Sequence, residues 1–240
     1  MKQADKKEAV CMDNEKKKNL QWLPLLITLC CAAITLLIYI LCIGQNDYVI
    51  FLQVISAALI PAILPIVSYA TKEKFPLVLN LLFSIHIVLA VDLGCAMSFY
   101  DRFYWWDMLM HGCFGLIASM SFYILLLKWN GRNLKRFGFF VLIFLSTMGC
   151  AAIWEIFEFT CDHILNIDAQ RVMESIAMGH TPVYDTMMDI IVAIAGIAVF
   201  YISLLIDSFC KNKLGKSLYG RFVHIPATAK NKAASQEVAQ

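Results

Sequence analysis

Three pairs of ionisable side chains occur between residues 107 and 189, each inside or beside an apolar stretch. On an α-helix, residues three or four positions apart share one face. Carboxylates and imidazoles bind divalent metals and also transfer protons in catalysis. The types and spacing therefore predict metal binding or acid–base chemistry, provided that the fold brings the pairs together. The pairs are Asp107 with His111, Glu155 with Glu158, and Asp185 with Asp189.

The chain that must position these pairs is strongly apolar. It has 240 residues, of which 60% are hydrophobic and 16% are charged, and its mean hydropathy is +0.68. Soluble domains are nearer half apolar and a quarter charged. The charges are concentrated in short segments between long apolar ones, which is typical of a polytopic helical membrane protein. The lipid bilayer is the expected partner. No Gly-rich phosphate loop or nucleic-acid motif is present, so no nucleic acid is expected, and nothing indicates an oligomeric state.

Six apolar segments are each long enough to cross a hydrocarbon core of about 30 Å as a helix. They cover residues 22–43, 48–70, 75–98, 105–128, 137–161 and 185–208. Backbone polar groups in lipid must bond internally, so we predict helices and an all-α transmembrane bundle. The domain prediction is a six-helix transmembrane domain over 22–208, between basic tails over 1–21 and 209–240, the second disordered. Pro61 and Pro65 predict a kink or a tight packing site in the second helix.

The basic residues predict the orientation of the helices. With the N-terminus inside, 18 of the 20 Lys and Arg residues fall in inner segments, and Arg102 and Arg171 fall in outer loops. This distribution follows the positive-inside rule, so both termini are predicted to be cytoplasmic. The sequence FYDRFYWW at 99–106 predicts an aromatic belt at the outer interface.

The predicted orientation places the three pairs at one depth. The fourth and sixth helices run inward from pairs near their starts, and the fifth runs outward to a pair near its end. All six groups then lie in the outer third of the membrane. A charged side chain at a helix centre costs about 2.5–3.5 kcal/mol on insertion scales. Glu155 lies about two turns deeper than Asp162 and therefore needs a partner.

Five carboxylates and one imidazole cannot gather as bare anions in a low-dielectric interior. Either several are protonated or a cation lies among them. Mixed carboxylate and histidine ligation suits Zn²⁺, Mn²⁺, Fe²⁺ or Mg²⁺. Glu155 is the candidate general base acting on a metal-activated water, and Asp107 either orients the histidine or completes the ligand set. The predicted metal ligands are His111, Glu158, Asp185, Asp189 and Asp107.

These motifs also carry a family resemblance over about residues 75–208. The order D-x₃-H-G, WE-x₂-E and DT-x₂-D before a glycine resembles the YjdF-type bacterial inner-membrane proteins and, more distantly, VanZ-like proteins. VanZ-like proteins are associated with teicoplanin resistance, which implies the bacterial plasma membrane and envelope chemistry. They typically have Gln where this chain has Glu158. The matching residues are Asp107, His111, Gly112, Trp154, Glu155, Glu158, Asp185, Thr186, Asp189 and Gly196.

Three functions remain open from the sequence. The first is a membrane-embedded, metal-dependent hydrolase or transferase acting on a lipid-linked or envelope substrate. The second is a transporter in which the same acids relay protons or a divalent cation. The third is structural, with acid pairs that hold helices together by hydrogen bonds. A through-path is disfavoured because the inner halves of the last three helices offer only hydroxyl groups. These are Ser119, Ser121, Ser146, Thr147 and Ser203.

Overall fold

The computed structural model describes residues 23–38, 40–41, 48–71, 75–129 and 134–214. Within these ranges the chain is helical and contains no strand, which confirms the all-α prediction. The tail predicted over 1–21 lies outside the described residues, as does most of the tail predicted over 209–240. The last helix runs to Leu214, six residues beyond its predicted end.

Nine α-helices follow one another along the described chain. They are α1 (Leu23–Ile38), α2 (Tyr48–Leu59), α3 (Ile63–Thr71), α4 (Leu77–Ile87), α5 (Phe99–Arg102), α6 (Trp105–Lys128), α7 (Arg136–Leu165), α8 (Val172–Ala177) and α9 (Tyr184–Leu214). A 3₁₀ turn, Ile60–Ala62, joins α2 to α3, and a π-helical segment, Val88–Ala96, continues α4.

Within the described residues, four helices are long and apolar enough to cross a membrane. These spans are Leu77–Ala96, Trp105–Lys128, Arg136–Leu165 and Tyr184–Cys210. They match the last four predicted segments. In the described part of the first predicted segment, the helix Leu23–Ile38 has 16 residues. The second is interrupted by the 3₁₀ turn that contains Pro61, where the missing amide hydrogen cannot continue the α-helical bonding.

Small and β-branched side chains pack the first helices together. Ala32 of α1, Val54 and Ala58 of α2, and Ala96 of the π segment form one buried cluster. Small residues let helix backbones approach closely where lipid provides no hydrophobic driving force. Residues up to Phe200 form one compact unit, and the remainder of α9 belongs to a second.

The face of α7 that points away from the bundle is apolar. Ile153, Ile156 and Phe159 are each at least 60% exposed. Their neighbour Glu155 is only 6% exposed and faces the interior. Large exposed apolar side chains beside a buried acid are expected for a helix whose outer face contacts lipid.

Candidate functional site

The ionisable pairs meet at one end of the bundle. Asp107 lies in the first turn of α6, Asp189 lies near the start of α9, and Glu155 lies two thirds of the way along α7. Because α7 runs antiparallel to α6 and α9, the later part of α7 lies beside the first turns of those two helices. We call this end of the bundle, defined by Asp107, Glu155 and Asp189, the acidic end.

The centre of the acidic end is the imidazole of His111, which is 8% exposed. Its Nε2 lies 3.5 Å from Oδ1 of Asp107 and 3.7 Å from Oδ2 of Asp189. One ligand atom from each of the three residues lies within 4.8 Å of the other two. Oδ2 of Asp189 is fully buried and has no hydrogen-bond partner. The arrangement therefore presents one nitrogen and two carboxylates to a common point.

Glu155 lies on the opposite side of the same imidazole. Its Oε1 is 3.9 Å from Nδ1 of His111, which is beyond hydrogen-bonding distance but close enough for charge interaction. Its Oε2 is buried and lacks a hydrogen-bond partner. His111 is thus placed between carboxylates on both ring nitrogens.

Glu158 and Asp185, the other two predicted ligands, are not part of the three-residue group. Glu158 lies almost one turn beyond Glu155 and accepts a hydrogen bond of 2.8 Å from Nε1 of Trp154. Asp185 lies one turn before Asp189 in the first turn of α9 and is partly exposed. Both are close enough for their charges to act on Asp189. They form a second level of acids nearer the connecting loop.

Glycines bring α6 and α9 close enough to join His111 to Asp189. A Cβ placed on Gly115 would overlap the backbone of Ala193. A Cβ placed on Gly196 would overlap the carbonyl oxygen of Gly112. The two backbones are therefore in direct contact one and two turns below the site, as small-residue crossings in membranes allow.

The loop between α7 and α9 is fixed by side-chain bonds to the backbone. The carboxylate of Asp162 accepts bonds from the amides of Ala169 and Gln170. The carboxylate of Asp168 accepts bonds from the first two amides of α8, at 2.8 and 3.0 Å. These bonds satisfy backbone donors that a short helix leaves free. The side-chain amide of Gln170 donates to the hydroxyl of Thr186, which ties the loop to α9.

Arg171 and Tyr100 meet beside this loop. Arg171 forms an ion pair with Glu174, and its guanidinium lies 6.0 Å from the centre of the Tyr100 ring. The ring of Tyr100 covers Gly94, so a Cβ there would overlap the ring and force it to shift. Burial raises the pKa of Tyr100 well above its usual value of 10.0, so the phenol stays neutral. The sequence placed Arg171 in an outer loop and Tyr100 in the aromatic stretch at 99–106, but it did not predict that the two side chains meet.

The fold and these contacts define a polytopic helical membrane protein with a buried Asp/His cluster. The profile of the family described as "Predicted membrane protein (DUF2238)" matches residues 23–208. The chain therefore belongs to that family. A relative from Thermotoga maritima, named "Uncharacterized protein", is 27% identical over 127 residues, covering 52% of this chain and 61% of the relative. The alignment thus spans less than two thirds of the relative's length. No solved structure matches the chain.

Proposed function

We propose that Asp107, His111 and Asp189 bind one divalent metal ion and that the protein is a metal-dependent hydrolase or transferase. The observation that carries this proposal is the convergence of three ligand atoms within 4.8 Å in a buried position. No Lys or Arg occurs from Trp105 to Leu127, and none occurs from Tyr184 to Cys210. Positive charge to balance Asp107 and Asp189 within these helices therefore has to come from protons or from a bound cation.

The separations between the three side chains suit ligation of one ion. Metal bonds to nitrogen or carboxylate oxygen are about 2.0–2.2 Å long, so two ligands of one ion stand roughly 3.0–3.5 Å apart. The Nε2 of His111 is 3.5 and 3.7 Å from the two aspartate oxygens. These distances are too long for hydrogen bonds. Zn²⁺, Mn²⁺, Fe²⁺ and Mg²⁺ all remain compatible with this donor set.

Glu155 has two roles in this proposal. Its Oε1 faces Nδ1 of His111 at 3.9 Å. At this distance the carboxylate would favour, through charge rather than through a hydrogen bond, the histidine tautomer that carries its proton on Nδ1. Its Oε2 has no partner and is the candidate general base toward a water or a substrate hydroxyl. A divalent ion bound here would polarise the oxygen of that water or hydroxyl group.

Glu158 and Asp185 are proposed as supporting acids. Their position nearer the loop would allow a second ion or a hydrogen-bonding contact with substrate. Arg171 lies at the same level, and its charge acts on Asp185. An anionic group of a lipid-linked or envelope substrate would pair with the guanidinium of Arg171 by displacing Glu174.

The setting of the site in the cell belongs to the same proposal. The distribution of basic residues favours both termini in the cytoplasm, so the acidic end would face the outside of a bacterial plasma membrane. The motif resemblance to YjdF-type and VanZ-like proteins supports an envelope substrate. The exposed apolar face of α7 beside Glu155 supports access from the lipid phase.

Metal content of the full-length protein purified in detergent tests the proposal. Mass spectrometry should find near-stoichiometric Zn, Mn, Fe or Mg in the wild type and loss of the metal in His111→Ala. His163→Ala is the matched control, because His163 is exposed on the same helix as Glu155 and stacks only on Phe159. A monodisperse wild type that neither contains nor binds any of these metals would exclude the metal site.

A transporter is the second candidate, and one contact favours it. The hydroxyls of Ser119 and Thr147 lie 3.2 Å apart and are completely buried. They stand eight residues below His111 and Glu155, so polar groups continue toward the middle of the bundle. In this function the acids would relay protons or a divalent cation. Proteoliposomes should then show a flux that Asp189→Asn stops. Absence of both flux and metal in folded protein would leave the acids as helix-packing groups.

A further inference from the structure

Asp92 is a buried carboxyl outside the acidic cluster. It lies in the π-helical segment Val88–Ala96 and is 3% exposed. Both of its carboxyl oxygens are buried without a hydrogen-bond partner. A long π-helical segment is rare, and such segments frequently mark functional sites. An aspartate with neither bond nor solvent in the interior of a membrane span calls for a bound partner.

The elements packed around Asp92 offer no counter-charge. The π segment packs against α1, α2, α4, α5 and α6. The thiols of Cys31 on α1 and Cys95 on the π segment lie close enough to interact with the carboxyl electrostatically. The hydroxyl of Thr35 lies beside it without reaching hydrogen-bond geometry. The only titratable residue of α2 is Tyr48, which is 62% exposed.

The titratable groups of α5 and α6 are engaged elsewhere. On α6, Asp107 and His111 face each other in the acidic cluster. On α5, Asp101 and Arg102 are exposed. Among the described residues, His86 of α4 is buried but forms no ion pair with Asp92, and His111 lies between three other carboxylates.

An ionised carboxylate with no bonds and no opposite charge is far more costly to bury than a neutral acid. A proton removes that cost and also converts one oxygen into a donor. Acceptors lie near the O–H of protonated Asp92, because the shift from α- to π-helical bonding changes the amide that each backbone carbonyl faces. A backbone carbonyl of the π segment or the Thr35 hydroxyl can then accept the O–H.

We propose that Asp92 is a proton-binding site, separate from the acidic cluster, at the contact between α1 and the π segment. The carboxyl binds one proton as a neutral acid and releases it only when water or a base gains access. Reversible protonation of a single buried carboxyl is how many membrane proteins couple a proton to a conformational step. The proposal does not depend on a metal at the acidic end.

Labelling with a hydrophobic carbodiimide tests this in the full chain in nanodiscs. The protonated acid adds its O–H across one C=N bond of the reagent. An acyl shift to nitrogen then leaves a stable N-acylurea, so the whole reagent is retained and nothing departs. Peptide mass spectrometry should find the label on Asp92 and not on exposed Asp101. Labelling should fall about tenfold per pH unit once the carboxyl ionises.

Two further results decide the outcome. Protection of Asp92 by sodium chloride, compared with choline chloride at the same pH, would overturn the proton site in favour of a sodium site. Infrared spectra provide the second measure, because they do not require reagent access. A carboxylic acid C=O band present in the wild type should be missing in Asp92→Asn and unchanged in Asp101→Asn. Absence of both the band and the label in the wild type would show an ionised Asp92 and refute the proposal.

Discussion

Gly196 of α9 lies directly against Gly112 of α6. A Cβ on Gly196 would overlap the carbonyl oxygen of Gly112 and stand 3.0 Å from the amide nitrogen of Leu116. Gly112 follows His111 in sequence, and Gly196 lies seven residues, or two helical turns, after Asp189. The contact that packs these two helices is therefore also the contact that holds Asp189 within 3.7 Å of the His111 ring.

Replacement of Gly196 by Ala should weaken both stability and metal binding. The added methyl group forces α6 and α9 apart, and overpacking of this kind costs about 1–3 kcal/mol. Thermal unfolding in detergent should show a lower Tm, and metal titration should show weaker binding. Gly149→Ala is the matched control, since a Cβ there meets nothing within 4 Å. Equal Tm values for the two variants would contradict the close crossing.

The three-residue ligand set and the wider set predicted from sequence differ in a measurable way. Asp189→Asn keeps the shape of the side chain but removes the charge beside His111, so metal content should fall to a small fraction of the wild type. Glu158→Gln and Asp185→Asn should each retain at least one metal per chain, because neither residue belongs to the buried group. Metal counting on the three purified variants checks this. Loss of all metal in Glu158→Gln would instead support the larger ligand set that the sequence predicted.

The positions of the last four helices along the chain were predictable, but the contacts among the acid pairs were not. Apolar length and charge placement located the last four spans within a few residues, and helix periodicity placed His111 and Asp107 on one face. Sequence spacing contains no information on the rotation of α9 about its axis. That rotation makes Asp189 face the imidazole while Asp185 lies one turn nearer the loop. The π segment was not predicted because no pattern of amino-acid types distinguishes π-helical from α-helical hydrogen bonding.

The buried hydroxyl pair of Ser119 and Thr147 should be coupled energetically. Thr147→Val preserves shape but leaves the Ser119 hydroxyl fully buried without this partner. Interhelical hydrogen bonds in membranes are worth about 0.6–2 kcal/mol. We expect Thr147→Val to lower the free energy of unfolding by about this amount. Addition of Ser119→Ala should lower it little further. Denaturant titration of the double-mutant cycle measures the coupling.

Ser121→Ala serves as the control for that cycle. The Ser121 hydroxyl donates to the carbonyl of Ile117 on its own helix, at 2.8 Å, so its removal breaks no contact between helices. A coupling energy of zero between Ser119 and Thr147 would indicate that each hydroxyl finds an equivalent partner elsewhere.

Asp162 should control the order of the loop that covers the acidic end. Its two carboxyl oxygens accept bonds from the amides of Ala169 and Gln170, so Asp162→Ala frees both amides at once. Amide exchange over 166–171 should then rise by about tenfold or more, since each lost charged bond is worth roughly 1.5–3 kcal/mol. Asp101→Ala is the control, as Asp101 is exposed outside this loop. If metal binding at His111 survives while exchange rises, the loop covers the site without building it. If metal binding is lost as exchange rises, the loop and the ligand set form one cooperative unit.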